Sequence, residues 1–230
     1  MRKKRGKLII AIDGPAGAGK STVAKRLANE LGYIYMDTGA MYRAFALKAS
    51  RDGIDLSGEE ALQQAVNNTN IELVERDGRL GVLLDGADVT DQIRTSELSQ
   101  MASRVSTLAA VRSRMVELQR AMARGGGVVA EGRDIGTVVF PEADVKIYLD
   151  AFATERARRR FEEFKGQGKK SDFEETLKEM DERDRRDQER ALAPLRKADD
   201  AILIDSSHLG VDEVMERIMA IIKDRAPENQ

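Results

Sequence analysis

The sequence predicts an α/β fold with a central parallel sheet and helices on both faces, and three observations support this. The chain begins with an apolar strand at residues 8–12, a glycine-rich loop and a helical pattern at residues 21–31. A second strand at residues 33–36 and a second helix at about residues 39–51 continue the alternation, which is typical of parallel sheets with right-handed crossovers. The length of 230 residues suits one such domain carrying an insertion.

The pattern changes between residues 71 and 89, where short β-rich runs are separated by Asp77-Gly78 and Asp85-Gly86. Aspartate followed by glycine is typical of tight hairpin turns, so we expect an antiparallel insertion outside the parallel sheet. Residues 96–124 have helical spacing and end at three glycines, 125–127, which predicts one long helix.

The remaining chain returns to alternating strands and helices. Apolar runs predict buried strands at residues 128–131, 145–149 and 201–204. A highly charged helical stretch covers residues 154–190 with a break at residues 166–168, and a closing helix covers residues 211–223. The chain therefore completes one α/β domain.

Composition excludes several classes of protein. The 38 lysines and arginines nearly balance 40 acidic residues, giving a net charge of −2, so the chain as a whole is not a basic binder of polymeric nucleic acid. It has no cysteine and only one histidine, which excludes disulfides and thiolate or imidazole metal clusters. The basic residues 1–7 precede only five apolar residues, too few for a signal peptide or a membrane span. We therefore predict a cytoplasmic location and a solvated N-terminal tail.

A phosphate-binding loop connects the first strand to the first helix, because residues 14–21 match the pattern GxxxxGK[ST] in full. In this pattern backbone N–H groups surround phosphate oxygens, a lysine reaches the β- and γ-phosphates, and a hydroxyl can bind Mg²⁺. An ordinary glycine turn would need neither the lysine nor the hydroxyl. The residues predicted to bind the phosphates of ATP are Gly14, Pro15, Ala16, Gly17, Ala18, Gly19, Lys20, Ser21 and Thr22, with Ser21 as the Mg²⁺ ligand.

The phosphate loop by itself indicates only that a nucleoside triphosphate binds. The sequence contains no Asn-Lys-x-Asp motif for reading guanine, which disfavours a GTPase. It also has no clear apolar run ending in an acid of the kind that ATPase motors use to hold Mg²⁺ and activate water. A kinase acting on a small molecule is therefore the leading class.

A kinase of this kind needs arginines near the strand ends, because arginine stays charged and binds phosphate in a forked geometry. Arg43 follows the second predicted strand, and Arg133 follows the strand at residues 128–131. Ligands of open parallel sheets bind beyond the carboxyl ends of the strands, where both residues fall. Arg183, Asp187 and Arg190 share one helix face, which is either a wall of the substrate cleft or a salt-bridged solvated surface.

A second arginine cluster contains Arg156, Arg158, Arg159 and Arg160, and residues 166–170 are rich in glycine and lysine. The segment could be a mobile lid that brings positive charge to the transferring phosphoryl group and excludes water. It could also be a solvated helix held by a pair between Glu155 and Arg159. We favour the lid.

At these positions the chain resembles the bacterial cytidylate kinases, a family of nucleoside monophosphate kinases. The resemblance runs from residue 10 to about residue 206. Four segments carry it: Ile12-Asp13-Gly14-Pro15 with the phosphate loop, Asp37-Thr38-Gly39-Ala40-Met41-Tyr42-Arg43, Gly132-Arg133-Asp134-Ile135-Gly136-Thr137-Val138-Val139-Phe140-Pro141, and Arg190-Ala191-Leu192-Ala193-Pro194-Leu195. Position 38 is Thr, where the family often has Ser.

The resemblance implies a P-loop kinase fold and a set of substrate contacts. The fold would be a single domain over residues 1–230, with an acceptor-binding insertion at residues 66–104 and a helical lid at residues 154–172. Lys20, Arg133 and Arg190 would be catalytic. The residues expected to contact the acceptor are Thr38, Tyr42, Arg43, Ser103, Arg112, Arg133, Asp134, Arg183, Asp187 and Arg190. Among these Ser103, Arg112 and Asp134 would read cytosine, and Arg43, Arg133 and Arg190 would hold phosphate.

The activity that the resemblance implies is transfer of the γ-phosphoryl group of ATP, with Mg²⁺, to CMP and to dCMP. The protein would be a monomer whose partners are small-molecule nucleotides, with no polymeric nucleic acid and no membrane. The alternatives are a kinase for another acceptor such as UMP, AMP or shikimate, and a nucleotide-binding switch without catalysis. Acceptor-dependent release of ADP separates these alternatives.

Overall fold

The structure is a computed structural model that describes residues 7–76, 79–166, 168 and 171–225. The chain forms two compact units. The sheet unit comprises Met1–Tyr35 and Gly125–Gln230, and the inserted unit comprises Met36–Arg124. Three expectations lie outside the described residues: the basic N-terminal tail, the turn at Asp77-Gly78, and the part of the lid formed by Gln167, Lys169 and Lys170.

The described elements alternate as an α/β fold requires. In chain order they are β1 (Ile9–Asp13), α1 (Lys20–Leu31), β2 (Ile34–Asp37), α2 (Thr38–Arg51), α3 (Glu59–Asn67), β3 (Ile71–Arg76), β4 (Arg79–Leu84), β5 (Ala87–Asp88), α4 (Ser96–Val105), α5 (Ala109–Met122), β6 (Val128–Gly132), a π-helical turn (Ile135–Val139), β7 (Val145–Asp150), α6 (Ala153–Gly166), α7 (Phe173–Glu189), β8 (Ile202–Asp205) and α8 (Val211–Arg225).

The sheet unit is organised by a five-stranded sheet in the order β2-β6-β1-β7-β8. Strand β1 lies in its centre and pairs in parallel with β6 on one side and β7 on the other, and β7 pairs in parallel with β8. The chain thus passes to opposite sides of β1, and ligands of open parallel sheets bind beyond the carboxyl ends of the strands at such a point. The phosphate loop follows β1 directly and begins at this edge.

The core of the sheet unit explains why its strands read as continuous apolar runs. Parallel strands covered by helices are buried along most of their length, so alternation with polar residues is lost. Ile10, Ile12, Val129, Ile147 and Leu149 are at most 1% exposed. Helices α1 and α8 complete this cluster through the following side chains: Val23, Ala24, Leu27, Ala28, Val214, Met215, Ile218 and Ile222.

The inserted unit contains a three-stranded antiparallel sheet in the order β3-β4-β5. Its register pairs Ile71 with Leu84 and continues to Arg76 opposite Arg79. Buried residues of α2, α4 and α5, including Phe45, Val105 and Met115, form one hydrophobic cluster with Ile71 and other strand residues. The predicted antiparallel insertion is therefore confirmed as a separate sheet.

The predicted fold class, a P-loop kinase fold with a parallel central sheet and an antiparallel insertion, is confirmed. The single long helix expected at residues 96–124 is wrong, because α4 ends at Val105 and α5 begins at Ala109. Ser106 Oγ donates to the carbonyl of Ser103, and Thr107 Oγ1 donates to that of Arg104. Such local side-chain bonds compete with helical backbone bonds and end α4.

One further element and one boundary differ from the expectations. Helix α3 was not expected, because in its nine residues only Leu62 and Val66 are buried, which is too few to give a clear helical period. The break in the charged helix is wider than residues 166–168, since α6 ends at Gly166 and α7 begins at Phe173. The compact inserted unit, residues 36–124, contains the 66–104 segment, whose acceptor-binding role stays a prediction.

Candidate active site

The phosphate loop lies between β1 and α1 and depends on glycines at defined positions. Gly14, Gly17 and Gly19 have φ values of 147°, 74° and 91°, a region that side-chain-bearing residues rarely adopt. Gly19 is the N-cap of α1, so the free N–H groups of the first helical turn begin directly after the loop. This arrangement provides the backbone donors and the positive helix end that phosphate oxygens require.

Lys20 is buried in the phosphate loop, with 5% of its surface exposed. Its Nζ donates to the carbonyl oxygen of Pro15 at 2.6 Å. Burial lowers the pKa of Lys20 to about 7, and the charge of Arg133 adds to this effect, while Glu131 and Asp184 oppose it. The charged form of Lys20 is therefore poorly stabilised by its surroundings, and an anionic ligand would favour protonation of its amine.

Binding of ADP to the phosphate loop should therefore be accompanied by proton uptake. At pH 8 a group with a pKa of about 7 is roughly one-tenth protonated, and nearby phosphate charges should raise this fraction towards one. Calorimetric titration of ADP at pH 8 in buffers of different ionisation enthalpy measures the number of protons. We expect uptake of more than about half a proton in the wild type, and none in Lys20→Met. Equal uptake in both proteins would contradict this assignment.

Asp13 links the end of β1 to the segment that follows β6. Its buried carboxylate accepts hydrogen bonds from the backbone N–H groups of Ile135, at 2.8 Å, and Gly136, at 2.7 Å. Burial raises the pKa of Asp13 to about 6, although these two hydrogen bonds favour the charged form. The carboxylate thus fixes the backbone immediately after Arg133 and Asp134 relative to the start of the phosphate loop.

Arg133 and Asp187 form an ion pair in the sheet unit, in which Asp187 is buried and Arg133 is partly buried. Arg133 Nε donates to Asp187 Oδ2 at 3.0 Å, and Nη1 donates to the carbonyl of Gly132 at 3.3 Å. Burial alone would lower the pKa of Arg133, but the charges of Asp187 and Asp184 outweigh it and the pKa is raised. Burial likewise favours protonation of Asp187, and the charges of Arg133, Arg183 and Arg190 reverse this, so its pKa is lowered. Both groups are therefore held in their charged forms.

Asp134 and Arg190 form a second buried ion pair beside the first. Arg190 Nη2 donates to Asp134 Oδ1 at 3.3 Å, and Nε donates to the carbonyl of Ala193 at 2.6 Å. Ala193 has a φ of 51°, a left-handed conformation that is unfavourable for a residue with a Cβ. The turn after α7 therefore holds a strained backbone in the position where its carbonyl orients Arg190.

The structure thus brings together most of the residues predicted in the sheet unit. The charges of Arg133 and Arg183 lower the pKa of Lys20, and the charges of Arg133, Arg183 and Arg190 lower the pKa of Asp187. The helix face of Arg183, Asp187 and Arg190 is accordingly not a solvated surface, since Asp187 is 4% and Arg190 9% exposed. Ser21 and Thr22 are exposed at the first turn of α1.

In the inserted unit, Asp37 organises the residues after β2. Its Oδ1 caps α2 by accepting from the N–H of Ala40 at 2.8 Å, and its Oδ2 accepts from Arg43 Nη2 at 3.1 Å. Thr38, the first residue of α2, is buried. The capped helix therefore places Arg43 beside a carboxylate that an acceptor phosphate would have to replace or share.

Tyr42, Ser103 and Arg112 also come together in the inserted unit. Arg112 is 5% exposed, its Nη1 donates to the carbonyl of Ser106 at 3.1 Å, and its guanidinium lies 6.0 Å from the centre of the Tyr42 ring. Ser106 in turn donates to the carbonyl of Ser103. Buried Arg112 is thus linked through Ser106 to buried Ser103, and their common role in reading cytosine stays a prediction.

The arginines of α6 have several partners within their own helix. Arg158 and Arg159 pair with Glu155, and Arg160 pairs with Glu163. Arg159 also donates to the carbonyl of Ser206 at 2.6 Å. These contacts leave the role of residues 154–172 as a lid a prediction.

Sequence reasoning missed four charged residues of the site. Asp13 ends the apolar strand β1 and Glu131 is the second-last residue of β6, so the expectation that no apolar run ends in an acid overlooked these two positions. Arg156 and Asp184 were indistinguishable in the sequence from neighbouring charges on their helices. Their burial, 8% and 6% exposed, separates them in the structure.

The charge of Arg133 lowers the pKa of Lys20. A cation suited to a second phosphate therefore lies close to Lys20, the cation suited to the donor nucleotide. This arrangement defines a P-loop kinase, a class in which two anions are held for phosphoryl transfer. The sequence model of the cytidylate kinase family matches residues 10–224, and the chain belongs to that family.

Curated relatives support the same membership over nearly the full length. The chain is 54% identical over 212 residues to the cytidylate kinase of Pelotomaculum thermopropionicum, covering 92% of this chain and 94% of that protein. It is 52% identical to that of Geobacillus kaustophilus, with 95% and 98% covered, and 50% identical to that of Syntrophotalea carbinolica, with 95% and 93% covered.

Solved structures resemble the fold at low sequence identity. An uncharacterized protein from Eubacterium ventriosum superposes with a TM-score of 0.51 at 16% identity, covering 95% of this chain and 99% of its own. Protein TT1252 from Thermus thermophilus gives a TM-score of 0.50 at 19% identity, covering 97% and 100%. These similarities concern the fold alone.

Proposed function

We propose that this protein transfers the γ-phosphoryl group of ATP to a phosphate oxygen of CMP, producing ADP and CDP. Membership of the cytidylate kinase family is the observation that carries this proposal. The site supports it, because Arg133, which is paired with the carboxylate of Asp187, acts electrostatically on the phosphate-loop lysine. A nucleotide-binding switch without catalysis would have no use for this second group of cations.

On the donor side, the phosphate loop binds the phosphates of ATP through its backbone N–H groups and Lys20. Lys20 exchanges its bond with the Pro15 carbonyl for the β- and γ-phosphates and becomes fully charged. This point charge stabilises the negative charge that spreads over the transferring phosphoryl group.

Mg²⁺ fits the donor side on the chemistry of the loop. The described part of the chain contains no group of three acidic or histidine side chains able to hold a metal by themselves. Mg²⁺ bound with ATP commonly keeps several waters and takes only one or two protein ligands. We assign the exposed hydroxyl of Ser21 as such a ligand. The ion would neutralise part of the phosphate charge.

On the acceptor side, Arg133, Arg190 and Arg43 hold the phosphate of CMP, with Arg183 adding positive charge. A phosphate monoester has a second pKa of about 6 and is largely dianionic near neutral pH, so its oxygen can attack without a general base. Catalysis then depends on positioning the two phosphates in line and neutralising their charges.

Cytosine recognition is assigned to Ser103, Arg112 and Asp134. The N4 amine of cytosine can donate to the carboxylate of Asp134, while O2 and N3 can accept from the guanidinium of Arg112. Thr38 and Asp187 are assigned to the sugar and phosphate, and Tyr42 contributes its ring beside Arg112.

One assay across a panel of acceptors tests the proposal. ADP release with ATP is measured with CMP, dCMP, UMP, AMP and shikimate. We expect the highest kcat/KM with CMP, substantial activity with dCMP, and at least about tenfold less with UMP or AMP, since a hydrogen-bonded base edge discriminates by about 1 to 3 kcal/mol. ADP release that is independent of acceptor would instead indicate a hydrolase, and no release would indicate a switch.

Replacing Asp134 by alanine should reduce the preference for CMP over UMP. A carboxylate attracts the N4 amine of cytosine and repels the O4 of uracil, so its loss should reduce the ratio of catalytic efficiencies by about tenfold to a hundredfold. The KM for ATP is the control. If both efficiencies fall together and the ratio stays constant, Asp134 acts only through its ion pair with Arg190.

Location and assembly are also proposed. Within the described residues no helix is long and apolar enough to cross a membrane. We propose a monomer working in the cytoplasm on free nucleotides, without polymeric nucleic acid or a membrane as partner. Light scattering of the purified protein, with and without nucleotides, tests the monomeric state.

A further inference from the structure

Two buried charges hold the tip of the phosphate loop from outside. Asp184 of α7 accepts a hydrogen bond from the backbone N–H of Ala16, with 3.0 Å between Oδ1 and N. Arg156 of α6 donates through Nη1 to the carbonyl oxygen of the same residue at 2.8 Å. The two side chains also pair with each other through Arg156 Nη1 and Asp184 Oδ2. Ala16, Arg156 and Asp184 therefore form a closed ring of polar contacts.

The surroundings of this ring are closely packed. Arg156 Nε donates to the carbonyl of Ala151 at 3.0 Å, which anchors the guanidinium at the start of α6. A Cβ added to Gly17 would lie 2.8 Å from the carbonyl oxygen of Arg156 and 2.7 Å from Cε of Met180. Both α6 and α7 therefore contact the loop backbone directly at its turn, and the ring is one part of this contact.

Neither charge is suited to a direct role with a phosphate of the donor. Asp184 is negative and would repel the anion that the loop binds. Arg156 is occupied by two backbone carbonyls and a carboxylate. A buried carboxylate near an anion site is unfavourable by itself, so its presence requires a compensating effect. The contacts with Ala16 supply this compensating effect, because they fix the phosphate loop in a single conformation.

We infer that Arg156 and Asp184 are positioning residues that hold Ala16 and so preorganise the phosphate loop for ATP. Asp184 lies on the same helix as Arg183 and Asp187, which are assigned to the acceptor. The pair thus connects the donor loop to the helix of the acceptor residues. The inference rests on the proposed function only in taking a nucleotide phosphate as the ligand of the loop.

Asp184→Asn gives a test in which two explanations predict opposite signs. If Asp184 were only a negative charge near the phosphates, its removal should tighten binding of ADP at pH 6, below the pKa of about 7 of Lys20, where that lysine is mostly charged. If it positions the loop, the variant should weaken binding, because an amide can still accept from Ala16 but leaves Arg156 without its counter-ion. We expect the Kd for ADP to rise at least about tenfold, with the Kd for CMP changed less than about twofold.

The control variant is Asp181→Asn, an exposed aspartate on the same helix that removes the same charge. We expect it to bind ADP within about twofold of the wild type, since exposed charges interact weakly.

Arg156→Lys is the second test, because an ammonium keeps the charge but cannot contact two carbonyls and Asp184 together. Arg156→Lys should also raise the Kd for ADP at least about tenfold. It provides the test if Asp184→Asn does not fold.

The double variant Arg156→Lys with Asp184→Asn should weaken ADP binding by clearly less than the product of the single effects, because the residues act as one unit.

Unchanged or tighter ADP binding in folded Asp184→Asn or Arg156→Lys would overturn the inference, as would equal weakening of ADP and CMP binding. Binding of ADP is measured without an acceptor. A wild type that binds ADP but does not phosphorylate CMP would therefore refute the proposed function and leave this inference standing.

Discussion

Replacing Lys20 by methionine should lower kcat/KM for phosphoryl transfer by at least about 10³-fold while the protein remains folded. The substitution removes the charge that stabilises the transferring phosphoryl group but keeps most of the aliphatic stem. Because Lys20 is buried and its pKa is lowered to about 7, the fold gains little from the ammonium. We therefore expect only a small change in Tm.

The matched control for this substitution is Lys25→Met, since Lys25 is an exposed lysine on the same helix. It should keep kcat/KM within about twofold of the wild type because an exposed charge contributes little. Circular dichroism and thermal unfolding establish that both variants are folded. A folded Lys20→Met protein with nearly wild-type turnover would show that the phosphate loop does not act in catalysis.

Replacing Gly14 by alanine should destabilise the sheet unit severely. Its φ is 147°, and an added Cβ would lie 2.0 Å from the carbonyl oxygen of Leu149. Leu149 cannot move easily, because it is fully buried in β7 and is paired with Ile204 of β8. We expect a loss of about 3 to 5 kcal/mol or more, lowering Tm by on the order of 10 °C.

Gly32→Ala separates backbone strain from this clash. Gly32 has a φ of 63°, but no described atom beyond its chain neighbours lies within 4 Å of its would-be Cβ. The alanine should cost only about 1 to 2 kcal/mol from its left-handed conformation. Thermal and denaturant unfolding of the two variants compare the costs. Equal stabilities would mean that the strand at Leu149 adjusts, contrary to our expectation.

Elements with local signals were predictable from the sequence. The phosphate loop, β1 and α1 are specified by consecutive residues, and their predicted positions agree with the structure within about a residue. Helix α3 was missed because its buried side chains are few. The interruption after Val105 was missed because Ser106 and Thr107 can either continue a helix or bond back to its carbonyls.

The candidate site was predictable only in part. The arginines Arg133 and Arg190 could be placed near strand and helix ends, but their partners could not. Arg133 pairs with Asp187, 54 positions away, and Ala16 contacts Asp184, 168 positions away. No local pattern relates residues so distant in the chain. Arg156 looked the same as the other arginines of its cluster until burial and its contact with Ala16 distinguished it.

The sequence by itself determined the alternating α/β fold and the phosphate loop, because hydrophobic period, glycine conformation and the lysine at the helix start are local properties. Only the tertiary structure decided which charges are buried and with whom they pair. The energy of a charge depends on its distance from water and from opposite charges, and both are set by packing of distant segments. In the sequence, Asp184 cannot be distinguished from the other charged residues of α7. Its contact with the phosphate loop exists only because α7 packs against that loop.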